Sequence, residues 1–185
     1  MQQTIVWQGL HYDTEEHCSI NYLEDAIVVR SEIEGWAEHK AVYVDYVLTL
    51  NKDWTMREVE ISFTVGTEQH SYHYIRHETG QWTDAEGTWL RRFDQCHFVD
   101  ISLTPFTNTL ALKVIDFKGS TEQTDVLYFD ILHNDVRNDV QRYTKLNETT
   151  YLFENNGGNF SAEITIDTNG FVTHYPKLFE MLKPH

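Results

Sequence analysis

The chain has 185 residues, with 14 Lys or Arg against 29 Asp or Glu, for a formal charge of −15. That length suits one domain over 1–185 with a sizeable core. So acidic a surface repels phosphate backbones and anionic leaflets, which argues against nucleic acid as a partner and favours neutral, hydroxyl-bearing ligands. Only Cys18 and Cys96 are present, far apart and outside any CxxC pattern, so neither a disulfide framework nor a cysteine zinc site is expected. Residues 1–7 lack the basic and apolar regions of a secretory leader, and no run reaches the roughly 18 apolar residues of a membrane span. A reduced, cytoplasmic protein that is not membrane-embedded is the expectation.

Along the chain the dominant pattern is alternation by two. Val42, Val44, Tyr46, Leu48 and Leu50 oppose a mixed face carrying Tyr43 and Asp45, and a turn follows at Asn51-Lys52-Asp53. From 57 to 65, Arg57, Val59, Ile61, Phe63 and Val65 share one face while Glu58, Glu60, Ser62 and Thr64 share the other. His70, His73 and His77 follow; in a strand only the last two share a face. No HExxH pattern or nearby cysteine completes a ligand set, so they read as surface or half-buried histidines with no metal. Trp54 and Trp82 flank turns, the second after Glu78-Thr79-Gly80. There an indole either packs in the core or lines a pocket mouth, stacking on a sugar face or acyl chain.

The segment Thr104-Pro105-Phe106-Thr107-Asn108-Thr109-Leu110 sets hydroxyls and an amide beside an apolar run. Proline fixes φ and these side chains can accept orphan backbone N–H groups, which reads as a helix start. Phe106, Leu110, Val114 and Phe117 fall on one helical stripe, with Leu112 and Ile115 apolar elsewhere around it, so a helix here must be wrapped on several sides. A strand competes, favoured by Val114 and Ile115. After a turn at Lys118-Gly119-Ser120, residues 125–132 are apolar on both faces and suit a central, doubly covered strand. Turn chemistry at 155–159 leads to 160–167, where Phe160, Ala162, Ile164 and Ile166 oppose polar residues. Asp167-Thr168-Asn169-Gly170 then predicts a type I′ hairpin into 171–175. A short helix over 178–182, with Pro176 near its start, closes the chain.

No nucleophile elbow, Walker loop or dinucleotide fingerprint occurs, and no cofactor is called for. Asp45, Asp100 and Asp130 interrupt apolar segments, where a carboxylate must be paired or face a cavity. Arg57 and Arg142 are the candidate partners. A general acid and base among the many carboxylates stays open, as does a protein whose aromatic surface serves only dimerisation.

Residues 104–110 resemble the hallmark segment of the glycolipid-binding family, long catalogued as a domain of unknown function. The resemblance continues in chain order. Asp53-Trp54 with Arg57, Gly80-Gln81-Trp82, Cys96 with Val99-Asp100-Ile101, and Gln141-Arg142-Tyr143-Thr144 are each similar to a family element, as is Asp167 through Gly170-Phe171-Val172 to Tyr175-Pro176 and Leu178-Phe179. The chain departs from the family pattern at Ala111-Leu112-Lys113-Val114-Ile115, which lacks a proline and one of two basic positions, and at Phe98, where the family has an aspartate. The resemblance implies a mainly β fold: a strongly curved, many-stranded antiparallel sheet, half-barrel in form, wrapped round one central helix. It is remotely similar to the lipoprotein localization factors and homodimeric. It further implies noncatalytic binding of a glycolipid or related lipid or sugar in an acidic, aromatic-lined pocket. The residues it marks are Trp54, Arg57, Trp82, Asp100, Thr107, Asn108, Arg142 and Tyr143.

Overall fold

The computed structural model describes residues 1–119 and 121–182. Strands β1 (Gln2–Gly9), β2 (Asp13–Tyr22), β3 (Ile27–Ala37), β4 (Lys40–Leu50), β5 (Met56–Val65), β6 (Glu68–Arg76) and β7 (Trp82–Asp84) come first. Then follow β8 (Phe98–Ile101), helix α1 (Phe106–Val114), β9 (Thr121–Asp130), β10 (Asp135–Lys145), β11 (Thr150–Asn155), β12 (Phe160–Ile166), β13 (Val172–Tyr175) and β14 (Phe179–Leu182). All fourteen lie in one curved sheet that does not close, in the order β7-β6-β5-β4-β3-β2-β1-β14-β13-β12-β11-β10-β9-β8. Neighbours run antiparallel except β8 and β9, which are parallel because α1 lies between them in the chain.

The alternation read from sequence becomes an inner and an outer face. Val42, Val44, Tyr46, Leu48 and Leu50 are all buried, as are Val59, Ile61, Phe63 and Val65. Arg57 does not join them. Thr49 pairs with Glu58 and Leu50 with Met56, so Arg57 is the extra residue of a β-bulge and turns to solvent while Met56 takes the buried place. A second register shift, between β12 and β13, bends the other half of the sheet. The curl brings the two ends together through side chains rather than a ladder: Tyr72 and Tyr74 of β6 lie 5.9 and 6.0 Å from Phe129 of β9, ring centroid to ring centroid.

Helix α1 fills the inside of the curl, as its apolar faces require. Its first six residues, Phe106 to Ala111, are all buried, and Phe106 packs on Trp7 at 6.3 Å and Phe171 at 6.5 Å. The helix ends at Val114, before Phe117. Residues 125–132, expected to form a central strand covered on both faces, lie next to last in the sheet, and the cover is uneven: Leu127, Phe129 and Ile131 are buried on one face, while on the other Val126 is buried and Tyr128, Asp130 and Leu132 are half-buried. The buried face is covered where the curl brings β6 against it, and β8, all four residues buried, pairs along its edge.

Two expectations of local structure give way. In place of a helix over 178–182, Phe179–Leu182 form a strand, β14, with Leu178 in the turn before it. Five residues cannot offset the cost of helix nucleation, whereas β1 and β13 each present an edge. β14 pairs with both and is the seam between the two halves of the sheet. The 167–170 hairpin does connect β12 to β13, but only Gly170, at φ 82°, has positive φ. It is not a type I′ turn: the Asp167 carboxylate accepts from the N–H groups of Asn169 and Phe171, each at 2.9 Å, and sets a longer loop. Two consecutive positive φ angles occur instead at Glu38 and His39, 50° and 65°, between β3 and β4. Ser120, in the turn expected at 118–120, lies outside the described residues.

Candidate functional site

Strand β8 and the start of α1 carry the polar interior. Period-two alternation turns Asp100 to the same side of β8 as Phe98, and register sets it opposite Tyr128 of β9. Thr107, one residue into the helix, donates from Oγ1 to Asp100 Oδ1 at 2.8 Å and accepts the Ile101 N–H at 3.2 Å. Gln141 Nε2 donates to Asp100 Oδ2 at 2.6 Å. The Gln141 Oε1 in turn accepts from the Tyr143 hydroxyl at 3.0 Å, and that hydroxyl accepts from Asn108 Nδ2 at 3.0 Å. The chain of donors runs from Asn108 through Tyr143 and Gln141 to one carboxylate, each bond polarising the next. Burial raises the Asp100 carboxyl to about 6, with the Thr107 and Gln141 hydrogen bonds opposing that rise.

This network borders a cavity of about 180 Å³. Asp100, Ser102, Thr104 and Asn108 give it a polar floor; Tyr128, Phe153, Phe160, Tyr175 and Phe179 give it aromatic walls. Phe160 is 36 % exposed and Leu178 is partly exposed, so they stand at the mouth, while the floor residues Asp100, Thr104 and Asn108 are buried. The volume is below the roughly 300–1,000 Å³ typical of drug-sized sites, so the cavity suits one end of a ligand and not a whole lipid.

Behind Thr104 lies a second buried carboxylate. Glu16 Oε1 accepts from Tyr46 Oη at 2.6 Å and Ser31 Oγ at 2.7 Å, and Tyr46 Oη is 3.5 Å from Thr104 Oγ1. Burial pushes Glu16 up to about 7 against the hydroxyls of Thr104, Tyr46 and Ser31. Its Oε2 has no hydrogen-bond partner among the described residues.

Four of the residues marked by sequence therefore converge: Asp100, Thr107, Asn108 and Tyr143. Of the polar side chains that open the helix, only that of Thr104 bonds a nearby helix N–H, accepting from Phe106 at 2.9 Å. Thr107 and Asn108 point their donors at the Asp100 and Tyr143 side chains instead. The other four marked residues lie elsewhere. Arg142 is exposed and forms a bidentate pair with Glu154 at 2.7 and 2.8 Å, not with Asp100. Arg57 sits on its bulge in solvent. Trp82 is fully buried, its indole N–H donating to the Cys96 carbonyl at 3.0 Å, so it stands at no pocket mouth. Trp54, at φ 70°, packs between Tyr22 and Phe171 with the Lys113 ammonium 4.3 Å from its ring centre. Lys113, the one basic residue in 111–115, also donates to the Asn169 carbonyl and ties the helix to the β12–β13 hairpin.

Sequence reading missed Gln141, Glu16 and the aromatic wall. Gln141 was recoverable, since alternation sends it to the same face as Tyr143 and sends Arg142 to the other. Asp130, also singled out, is taken up by His133 and Arg137 at 3.0 and 3.8 Å. Asp45 faces an outer groove of about 510 Å³ with Glu60, His73, Asp84 and Glu86. On that face Glu58, Glu60 and His73 hold ligand atoms within 4.8 Å of one another, a set able to take a cation, although His70 and His77 stand apart from it.

No curated protein matches the chain. A crystal structure of a DUF1089 family protein from Pseudomonas aeruginosa superposes with a TM-score of 0.81 at 29% sequence identity, covering 91% of this chain and 92% of that one. A family model described as "Putative glycolipid-binding" matches residues 4–181, the span that holds the curved sheet, its helix and the cavity. The chain belongs to this family.

Proposed function

We propose that the protein binds, without catalysis, the polar end of a lipid or glycolipid in the cavity beside the start of α1. The observation that carries this reading is the cavity itself, which joins a buried carboxylate and amide floor to aromatic walls within a curved sheet. Hydroxyl donors suit Asp100, whose carboxylate is acceptor-only when ionised and has lone pairs beyond the two already engaged. The rings supply apolar faces on which a sugar or the first methylenes of a chain can lie. The ligand-binding side chains in this reading are Asp100, Thr104, Asn108, Tyr128 and Tyr175, held in place by Thr107, Gln141 and Tyr143.

Chemistry by paired carboxylates is the weaker reading, because Asp100 is the one carboxylate among the residues lining the cavity. Glycoside hydrolysis needs a second, roughly 5–10 Å across the bond to be cleaved. A homodimer, as the family resemblance implies, is part of the proposal, and light scattering on the purified protein tests it.

Native mass spectrometry of protein from its own host, followed by lipid extraction, tests the binding reading. A co-purifying lipid or sugar is expected from wild type, and Asn108→Leu should lose it while keeping the fold. Absence of any such molecule, with no thermal shift across a glycolipid panel, would sink the proposal.

A further inference from the structure

Asp100 is a buried carboxylate with no cation beside it. Its two hydrogen bonds come from neutral donors, Thr107 and Gln141, and no basic side chain pairs with it among the described residues. The charged group that does act on it is another carboxylate, Asp139 of β10, which adds to the negative potential. A buried carboxylate without a counter-charge is costly. Here it is not sealed off, for it looks into the cavity.

The walls have matching chemistry. Phe153, Phe160 and Tyr175 form one cluster with ring centroids 6.0 to 6.3 Å apart, and Tyr128 adds a further ring. Aromatic faces carry negative quadrupole density and attract cations. Tyr128 already takes one, since the Arg137 guanidinium lies 4.6 Å from its ring centre. That guanidinium is held by Asp135 and Asp130, so it does not neutralise Asp100.

We propose that the ligand end seated in this cavity is cationic: an ammonium or alkylammonium group, as on an amino sugar or an amine-bearing lipid headgroup, paired with Asp100 and faced by aromatic rings. This rests on the reading that the cavity is the binding site, and it narrows that reading from hydroxyl-bearing ligands in general to those with an amine. The volume of about 180 Å³, some six times the liquid volume of one water, admits such a group with a short stem. A neutral isostere loses both the charge pair with the carboxylate and the attraction of the rings.

Calorimetric titration with two matched pairs tests the inference: choline against 3,3-dimethylbutan-1-ol, and glucosamine against glucose. In at least one pair the charged member should bind about tenfold tighter or better. Preference in the choline pair alone points to a lipid headgroup, and in the glucosamine pair alone to an amino sugar. Asp100→Asn should erase the preference. Phe160→Leu, at the partly exposed mouth, should keep the fold and weaken the charged probe more than the neutral one, which loses only an apolar face. Neutral members that bind as tightly as charged ones would overturn the inference and leave the binding reading standing. If no probe binds, the inference falls, and the binding reading is decided by the lipid extraction and the glycolipid panel.

Discussion

Glu16 and Asp100 are both buried carboxylates that form no ion pair among the described residues, and they stand on either side of the hallmark segment. Glu16 is enclosed by hydroxyls from β3 and β4 behind Thr104 and lines no part of the cavity; Asp100 keeps both oxygens hydrogen-bonded and faces open space. Burial raises both, to about 7 and about 6. The enclosed group is thus the more readily protonated of the two, and the one at the cavity the more readily ionised. The difference separates two uses of one residue type: an acceptor that organises a core and, in the proposed reading, a charge kept available to a ligand.

Truncating the enclosed group is the strongest test of that division. Glu16→Ala leaves the Tyr46 and Ser31 hydroxyls without their acceptor and opens a void, at a cost of about 3–5 kcal/mol. Glu16→Gln keeps an acceptor and should cost about 1 kcal/mol. Urea denaturation near pH 5, where the native Glu16 carboxyl is still protonated, reads both. An alanine variant within error of wild type would mean that Glu16 organises nothing.

Titration gives the next largest effect. The folded value of Glu16 stands above its ordinary 4.5, so between those two values the native state holds a proton that the unfolded chain has released. Its stabilising contribution is complete below about pH 4.5 and is lost as pH rises through 7. At about 1.4 kcal/mol per pKa unit this amounts to some 3 kcal/mol. Asp100 acts in the same direction, lost as pH climbs from 3.8 through about 6. Relief of the −15 charge also stabilises the acid side, so the decisive quantity is the difference between wild type and Glu16→Gln. The variant should show the shallower slope between pH 5 and 7.5. Parallel curves would refute the assignment.

At the cavity the expected order reverses, with modest stability effects and large binding effects. Asp100→Asn sets an amide N–H against the Gln141 donor and should cost about 1–2 kcal/mol, less than Glu16→Ala, while removing the charge on which ligand preference depends. Tyr143→Phe leaves Asn108 and Gln141 each short of one partner, again at about 1–2 kcal/mol. If Asp100→Asn proves as damaging as Glu16→Ala, both carboxylates are structural and the contrast between them fails.

Much of the fold was legible because alternation by two is written in the residues of β4 and β5 and because an all-round apolar helix has to be wrapped. What sequence could not show was set by tertiary context. The bulge that expels Arg57 depends on the register of β4 against β5. The strand identity of residues 179–182 depends on the two edges that receive it. The site was legible in its helix half, Thr107 and Asn108, and in Asp100 and Tyr143. Its aromatic wall was hidden because Tyr128, Phe153 and Tyr175 come from three strands distant in sequence and read locally as core. Glu16 was passed over among 29 acidic residues, although alternation sets it on the face of Cys18 and Ile20 and Glu15 on the other.

The smallest expected effect falls on neighbours. Gln141 and Arg142 are adjacent in β10, and alternation sends the first to the Asp100 network and the second to solvent, where it pairs with Glu154. Exposed ion pairs add little, because water screens the charges and long side chains lose freedom when they pair. Arg142→Ala should therefore leave both the denaturation midpoint and the affinity for any cavity ligand indistinguishable from wild type. Gln141→Leu, one residue away, removes a hydrogen bond to the carboxylate and the acceptor of the Tyr143 hydroxyl. It should destabilise by about 1–3 kcal/mol and weaken ligand binding with it. The pair is a control on position, since both side chains are polar and long and only the face differs. Should Arg142→Ala prove the more disruptive for ligand, the binding surface would lie on the outside of the sheet, and the cavity beside Asp100 would be a packing defect in the core.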